Sequence, residues 1–444
     1  MPRLSSKSTS KHDIKLFTRT IQRTLHAHEV FFSFSEQCCA LLENPKGDGR
    51  QFIVSRAGDT QRLHVGDDAE AFFARWKSSL ATWDIDAPAI QYLVYAAYEV
   101  STLLEHLPAP KTQPPYALLC LHQPLWSMCF QPEDGLIHLA SLDSDEHLNL
   151  LETMLDDVSP SCDAPSAPVA WQASEVEETS AYRYQTSVEQ VKEYIAAGDV
   201  FQVNIARFWK YAYPTSSLLP LYQRLRTVNA APFSCFVQWD DFTIISSSPE
   251  RLVSLSSDGV ASTRPIAGTR RRSDGDDDQD LCDELLLSDK ERAEHIMLVD
   301  LERNDLGRVC QVGSVEVDEL MVIEKYPTVQ HIVSNVRGRL DAAYDVVDVF
   351  CAMFPGGTIT GCPKVRCMEI IHDMEQQARG PYTGSVGYIG WDGSADFNIL
   401  IRTFWHDGKD LHWAAGAGIV ADSEADAEAV ETEHKAAGLL RAFS

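Results

Sequence analysis

From Phe233 onward the chain is a succession of short apolar runs: FSCFVQW, FTIISSS, RLVSL and VASTRPI, then VSNVRGRL, GSVGYIGW, NILIRTFW and HWAAGAGIV. Asp–Gly steps stand at 258–259, 392–393 and 407–408. Tight antiparallel hairpins select Asp–Gly because their central residues need positive φ. Antiparallel sheet is therefore the dominant expectation. Helical spacing occurs at roughly 281–303, 344–353, 363–376 and 423–442, without strict alternation of strand and helix. This pattern argues against a doubly wound parallel sheet and gives the class α+β.

Residues 156–180 are rich in Pro, Ser, Ala and acid and read as a linker or surface crossing. They divide an N-terminal region, 1–165, from a C-terminal region, 180–444. The N-terminal region carries apolar runs (Phe31 to Leu42, Ile90 to Leu104, Tyr116 to Leu121) and no concentrated polar motif. Past the linker, Ser187 with Gln190 has capping-box spacing, Val188, Val191, Tyr194 and Ile195 keep helical period, and Gly198 suits the C-terminal cap. A helix of about 11 residues is expected there. DVFQVNIAR then alternates, with Phe201, Val203 and Ile205 on one side and Gln202 and Asn204 on the other, as a half-buried strand does. The acidic run at 274–280 reads as a solvated turn.

The 444 residues are 44% hydrophobic and 23% charged, ordinary globular usage, but the net charge is −27 and no Lys/Arg-rich run occurs. Phosphate backbones and anionic membrane surfaces would be repelled, so nucleic acid and membrane are not expected partners. The opening MPRLSSKSTSKHDIKLF lacks an apolar export core and no long uncharged apolar window follows. A cytoplasmic location is expected. The 11 cysteines include no CxxC pair, so they read as reduced, packed side chains.

Two polar pairs stand out. Glu291 and Glu294, in KERAEHIMLVDLERNDLGR, are three apart on one helix face, and Glu428 and Glu431 repeat the spacing near the end of the chain. Like charges so placed repel by about 0.2–0.5 kcal/mol. Two such faces could hold a hard cation such as magnesium between them, or could simply be solvated. Spacing alone cannot bring them together. FPGGTITGCPK supplies a Gly356–Gly357 loop with Thr358 and Thr360 before a helix near Pro363, whose N-terminus could receive an anion. The Gly-rich GAGIV, 416–420, would let backbone approach a ligand. Arg402, inside an apolar run, needs a carboxylate from a ligand or from the chain.

SPERLV, PIAGTRRR, KERAEHIMLVDLERNDLGRV, EKYPTVQHIVSNVRGRL, FPGGTITGCPKVRCMEII, GPYTGSVGYIG, ILIRT and GAGIVADS with ExxETxxK occur in an order that resembles the chorismate-binding enzymes. That group includes the large chains of anthranilate and aminodeoxychorismate synthases and the isochorismate and salicylate synthases. The resemblance covers about residues 180–444, and residues 1–165 are similar, more weakly, to the N-terminal part of the amine-transferring branch. It implies two antiparallel-rich sheets packed as a sandwich with helices outside. It also implies that Glu294 and Glu431, backed by Glu291 and Glu428, hold magnesium against the ring carboxylate of chorismate. Thr358 would contact that carboxylate, and Tyr388 and Arg402, with backbone at Gly416 and Gly418, would bind the enolpyruvyl carboxylate, with Lys435 close by. His331 would lie beside the ring, and Glu250 would be the general acid for the departing C4 hydroxyl.

Members of this family that use water resemble one another in having Lys where this chain has Gln202. A glutamine cannot act as a base, whereas ammonia needs none. The resemblance thus implies an amine-transferring member, fed with ammonia by a separate glutamine amidotransferase subunit, since no glutaminase region is recognisable. Many aminodeoxychorismate synthases carry a nucleophilic Lys in PIKGT where this chain has Ala267, as anthranilate synthases do. GGTITGCPK, DLERNDLGR and FNILIRT are closer to the aminodeoxychorismate branch. CALLEN, 39–44, has Asn44 where anthranilate synthases often carry the Ser of a tryptophan pocket.

Overall fold

The computed structural model describes residues 3–11, 14–47, 49–83, 85, 87–158, 171–172, 175–271, 288–325 and 329–444. The acidic run at 274–280, the start of the helix expected from 281 and most of the linker lie outside the described residues.

Two antiparallel sheets, one of 13 strands and one of 10, pack face to face in an α+β sandwich. Alternation along single strands builds the layers, because successive side chains point to opposite faces. Phe52 and Val54 enter the core between the sheets, while Ile53 between them faces the outer helices. Likewise Leu93 and Tyr95 point inward, and Tyr92, Val94 and Ala96 point to helices on the other side. Each such buried Leu or Phe adds roughly 1.5–3 kcal/mol of transfer free energy.

The two regions read from the sequence are interwoven. Strand Cys38–Glu43 pairs with Phe233–Trp239, and Ile90–Ala96 pairs with Ser385–Gly390, so both sheets run continuously across the linker. All three Asp–Gly steps form the hairpins expected, with φ of +83°, +81° and +94° at Gly259, Gly393 and Gly408.

Some elements differ from expectation. The helix placed after Ser187 runs from Ala181 to Ala196. Its N-cap is Ser180, which accepts from the Arg183 N–H. Tyr184 extends the buried stripe of Val188 and Val191 by one turn, and Ser187 is mid-helix with its hydroxyl on the Arg183 carbonyl. The strand expected from Phe201 starts at Gln202, leaving Phe201 68% exposed. The run NILIRTFW is not one strand: Ala395–Asn398 lies in the smaller sheet and Thr403–His406 in the larger. Phe242–Ser248 and Arg251–Leu255 change sheet in the opposite direction. The two crossings are bonded side by side, the Ile399 N–H to the Glu250 carbonyl at 3.0 Å and the Ser247 N–H to the Arg402 carbonyl at 3.1 Å. No helix among the described residues is long and apolar enough to cross a membrane.

Candidate active site

The crossings open onto a cavity of about 640 Å³. Its floor is the pair of strands Gln202–Ala212 and Asp410–Ile419, registered with Asn204 opposite Gly418 and Ala206 opposite Gly416. Helix Asp289–Gly307 supplies one wall and helix Ala425–Leu440 the facing one. Glu291 and Glu294 line the cavity from the first, and Glu428 and Glu431 from the second. The two pairs, 134 or more residues apart in the chain, therefore share one cleft. The Gln202 side-chain amide donates to Glu294 Oε1 at 3.0 Å. Lys435 Nζ lies 2.8 Å from Glu431 Oε1 and also donates to the Gly416 carbonyl at 2.8 Å.

Four carboxylates in one cleft form an all-oxygen donor set, which suits a hard divalent cation and not a soft one. Two buried oxygens beside them, Gln202 Oε1 and Asn204 Oδ1, have no hydrogen-bond partner among the described residues. Such groups cost roughly 1–3 kcal/mol unless a ligand or water satisfies them. The residues thus fit a hydrated magnesium ion, though the glutamates are not drawn into a tight cluster. A tighter group among the described residues, Asp407, Asp410 and His412, belongs to a distant hairpin. There Asp407 already accepts from the backbone N–H of Lys409 and Asp410 and pairs with His412, a satisfied turn.

Glu250 and Arg402 face the cavity from the two sheet crossings. Burial pushes the Glu250 carboxyl up to about 7, against the opposing pull of Thr358, Ile266, Arg402 and Lys435. Glu250 Oε1 and the Thr358 hydroxyl are buried, and among the described residues neither has a partner at full hydrogen-bond geometry. Arg402 has φ of +50°, uncommon for a side chain of its size, and this turns it out of the strand path into the cleft. Its charge acts on Glu250 and on His331. His331 is buried on strand Val329–Arg339, with Nδ1 3.2 Å from the Gly268 carbonyl. Burial first, and Arg402 second, lower its pKa to about 4. The ring is therefore neutral near pH 7, and donation from Nδ1 leaves Nε2 as the basic nitrogen. Ala267 presents its methyl group in the same wall, so no amine stands there.

Of the residues expected at the site, Tyr388 alone is elsewhere. On strand Ser385–Gly390 it alternates into the core between the sheets, its ring 4.5 Å from that of Phe52. The tyrosine on the cleft is Tyr382, six residues earlier, where the turn before the strand carries Thr383 at φ +61°. The signal was in GPYTG: a turn residue is free to face a cavity, whereas the strand position that shares the parity of Val386 is not. Asn204 and His434 also line the cleft.

Gly416 and Gly418 line the cleft, and a side chain on either would also strike the chain itself. A Cβ on Gly418 would lie 2.2 Å from Gln202 Nε2, and one on Gly416 would lie 2.6 Å from the backbone carbonyl of Ile205, 2.7 Å from Asn204 Oδ1 and 2.8 Å from the Tyr382 hydroxyl. Their bareness lets the chain's own polar side chains lie across the strand. The helix N-terminus at Pro363 and Lys364 borders a neighbouring groove of about 1020 Å³, not the cleft. Gln202 and Glu294 line both spaces. In the N-terminal region, Glu43 of CALLEN is held by the Tyr222 hydroxyl at 2.7 Å and by Arg226 at 2.9 Å.

Residues 37–441 match the family model described as chorismate binding enzyme. The chain is 43% identical over 357 residues to the Synechocystis protein described as anthranilate synthase component I-like, covering 79% of this chain and 72% of that one. It is 50% identical over 261 residues to aminodeoxychorismate synthase component 1 of Bacillus subtilis, covering 59% of this chain but only 55% of that protein. The crystal structure of anthranilate synthase component I from Streptococcus pneumoniae TIGR4 superposes with a TM-score of 0.78 at 27% identity, over 88% of this chain and 92% of that one.

Proposed function

The chain belongs to the chorismate-binding enzymes, and from that premise we propose that it is component I of an aminodeoxychorismate synthase, a cytoplasmic enzyme that aminates chorismate on the way to 4-aminobenzoate and folate. The observation that carries the amination is Gln202. It occupies the cleft where a base would be needed to activate water, and its amide is already engaged with Glu294. The nitrogen specificity is supported by the likeness to the Bacillus subtilis protein.

Glu294 and Glu431, with Glu291 and Glu428 behind them, would hold magnesium. The ion would supply Lewis-acid polarisation and charge for the ring carboxylate. The remaining work falls to the chain's side chains. Arg402 and Tyr382 bind the second carboxylate and Lys435 adds positive charge at the cleft. Glu250, held near neutral pH by burial, gives its proton to the C4 hydroxyl, which leaves as water as the C–N bond to ammonia forms. Such proton transfer contributes about 10²–10⁴-fold. His331, neutral by burial, orients beside the ring without adding charge to it.

Ammonia comes from a separate glutamine amidotransferase subunit. The outer groove, which shares Gln202 and Glu294 with the cleft, offers it a short route to the ring. A second reading, anthranilate synthase component I, is favoured by one observation: Ala267 leaves the cleft wall without the amine that would direct nitrogen to C4. Amination at C2 followed by loss of pyruvate would then give anthranilate. Incubation of the pure chain with chorismate, magnesium and ammonium salt, followed by the lyase that releases 4-aminobenzoate and by chromatography, decides between them. 4-Aminobenzoate is the predicted product, anthranilate would establish the second reading, and unconsumed chorismate would remove both.

A further inference from the structure

Helix Asp289–Gly307 continues past the cleft with a second set of acids. Positions 291, 298, 302 and 305 fall on one stripe by the 3.6-residue period. Glu291 and Leu298 reach the cavity. Glu302 and Asp305, each 3% exposed, reach the loop that carries Thr358. The loop is held at two points. Lys364 pairs with Asp305 and donates to the Pro355 carbonyl at 2.8 Å. Glu302 Oε1 accepts from the Gly357 N–H at 3.2 Å. A Cβ on Gly357 would lie 2.6 Å from Leu301 Cδ2 and 3.0 Å from Glu302 Oε1, so glycine is needed for the helix to come this close. Gly357 thus gives its N–H to Glu302 instead of offering it to an anion. The next residue, Thr358, stands at the cleft beside Glu250.

Resting on the reading of this cleft as the reaction site, we propose that Glu302 is a positioning residue, whose carboxyl fixes the main chain of Gly357 and so holds the Thr358 hydroxyl against Glu250. It touches no reacting atom. Its surroundings keep it uncharged near pH 7. Burial raises its pKa to about 8, Asp305 and Glu250 add to the rise, and Lys364 and the Gly357 N–H oppose it. Its Oε2 has no hydrogen-bond partner among the described residues, as suits a neutral acid tucked under a loop. Ionisation would bring a second negative charge towards Glu250, so the Thr358 and Glu250 pair should be best ordered while Glu302 holds its proton.

The test compares wild type with Glu302→Leu and Glu302→Gln in two readouts: chorismate consumption with magnesium and ammonium across pH 6 to 9, and amide hydrogen exchange of the 354–360 segment. Loss of such a supporting contact typically costs 10–100-fold. Glu302→Leu is expected to lose at least tenfold in kcat and to exchange faster at 354–360. Glu302→Gln, which keeps the acceptor and carries no charge, is expected to restore both and to simplify the alkaline limb to a single group. Glu302→Asp, which withdraws the carboxyl by one methylene, serves if Glu302→Leu does not fold, with the same losses expected. Wild-type turnover and unchanged exchange in the Leu and Asp variants would overturn the proposal. Should the wild type itself consume no chorismate, the functional reading fails, and exchange at 354–360 alone decides the role of Glu302.

Discussion

Glu250 shows how one residue's chemistry follows from where the backbone puts it. It sits buried where the chain leaves one sheet for the other, and burial holds its proton to about 7. A general acid must be protonated, so turnover should fall as pH rises through about 7. Glu250→Gln should lose about 10²–10⁴-fold and show no such limb in its residual rate, read from initial velocities across pH 5.5 to 9. Tyr382 and Tyr388 make a second comparison. Tyr382→Phe should lower kcat/KM about tenfold, the loss of one buried hydrogen bond of about 1.4 kcal/mol, while Tyr388→Phe should leave the kinetics as they are. Motif resemblance alone did not separate these two tyrosines. Strand parity did, since Tyr388 must follow Val386 inward. The glutamate pairs were legible as pairs from their spacing, and their sharing of one cleft only as what the family resemblance implied, because residues 294 and 431 leave no mark on each other's local sequence.

At the scale of elements, the hairpins and the helices at 346–353, 364–374 and 425–440 were legible, because Asp–Gly turns and helical periods are local signals. The break inside NILIRTFW was not. Its hydropathy is continuous, and only the left-handed backbone of Arg402 divides it between two sheets. The glycines of GAGIV were legible as places of close approach, but what approaches is Gln202 and Asn204. Gly418→Ala should therefore displace the Gln202 side chain and break its bond to Glu294. Because the obstructed atom is the end of a side chain, the fold should survive. The expected result is about a tenfold loss of turnover with a melting temperature close to wild type, measured on the same preparation.

Across the whole molecule the N-terminal region was legible only as a companion to the catalytic one. Its strands enter both sheets through pairings of distant residues, such as Leu42 with Cys235, that no window of sequence displays. The resulting core buries carboxyls away from surface ion pairs. Glu99 and Glu250 are raised to about 7 and Glu302 to about 8, burial being the first cause in each, from an ordinary 4.5. Between those values the folded chain keeps protons that the unfolded chain releases. The stability they contribute is full below about 4.5 and is lost as pH rises through 7 and 8. The net charge of −27 acts in the same direction. Denaturant unfolding of the metal-free chain should show stability falling by about 1.4 kcal/mol per pH unit or more over this span, with a shallower slope in Glu302→Gln.

Titration calorimetry with magnesium, in the presence and absence of chorismate, tests most directly whether the two facing helices cage an ion for the substrate. One magnesium per chain, bound more tightly with chorismate and tightening chorismate by the same factor, is predicted for the wild type, with the coupling lost in Glu294→Gln and in Glu431→Gln. Equal magnesium binding in both variants, or no coupling between ion and chorismate in the wild type, would contradict it.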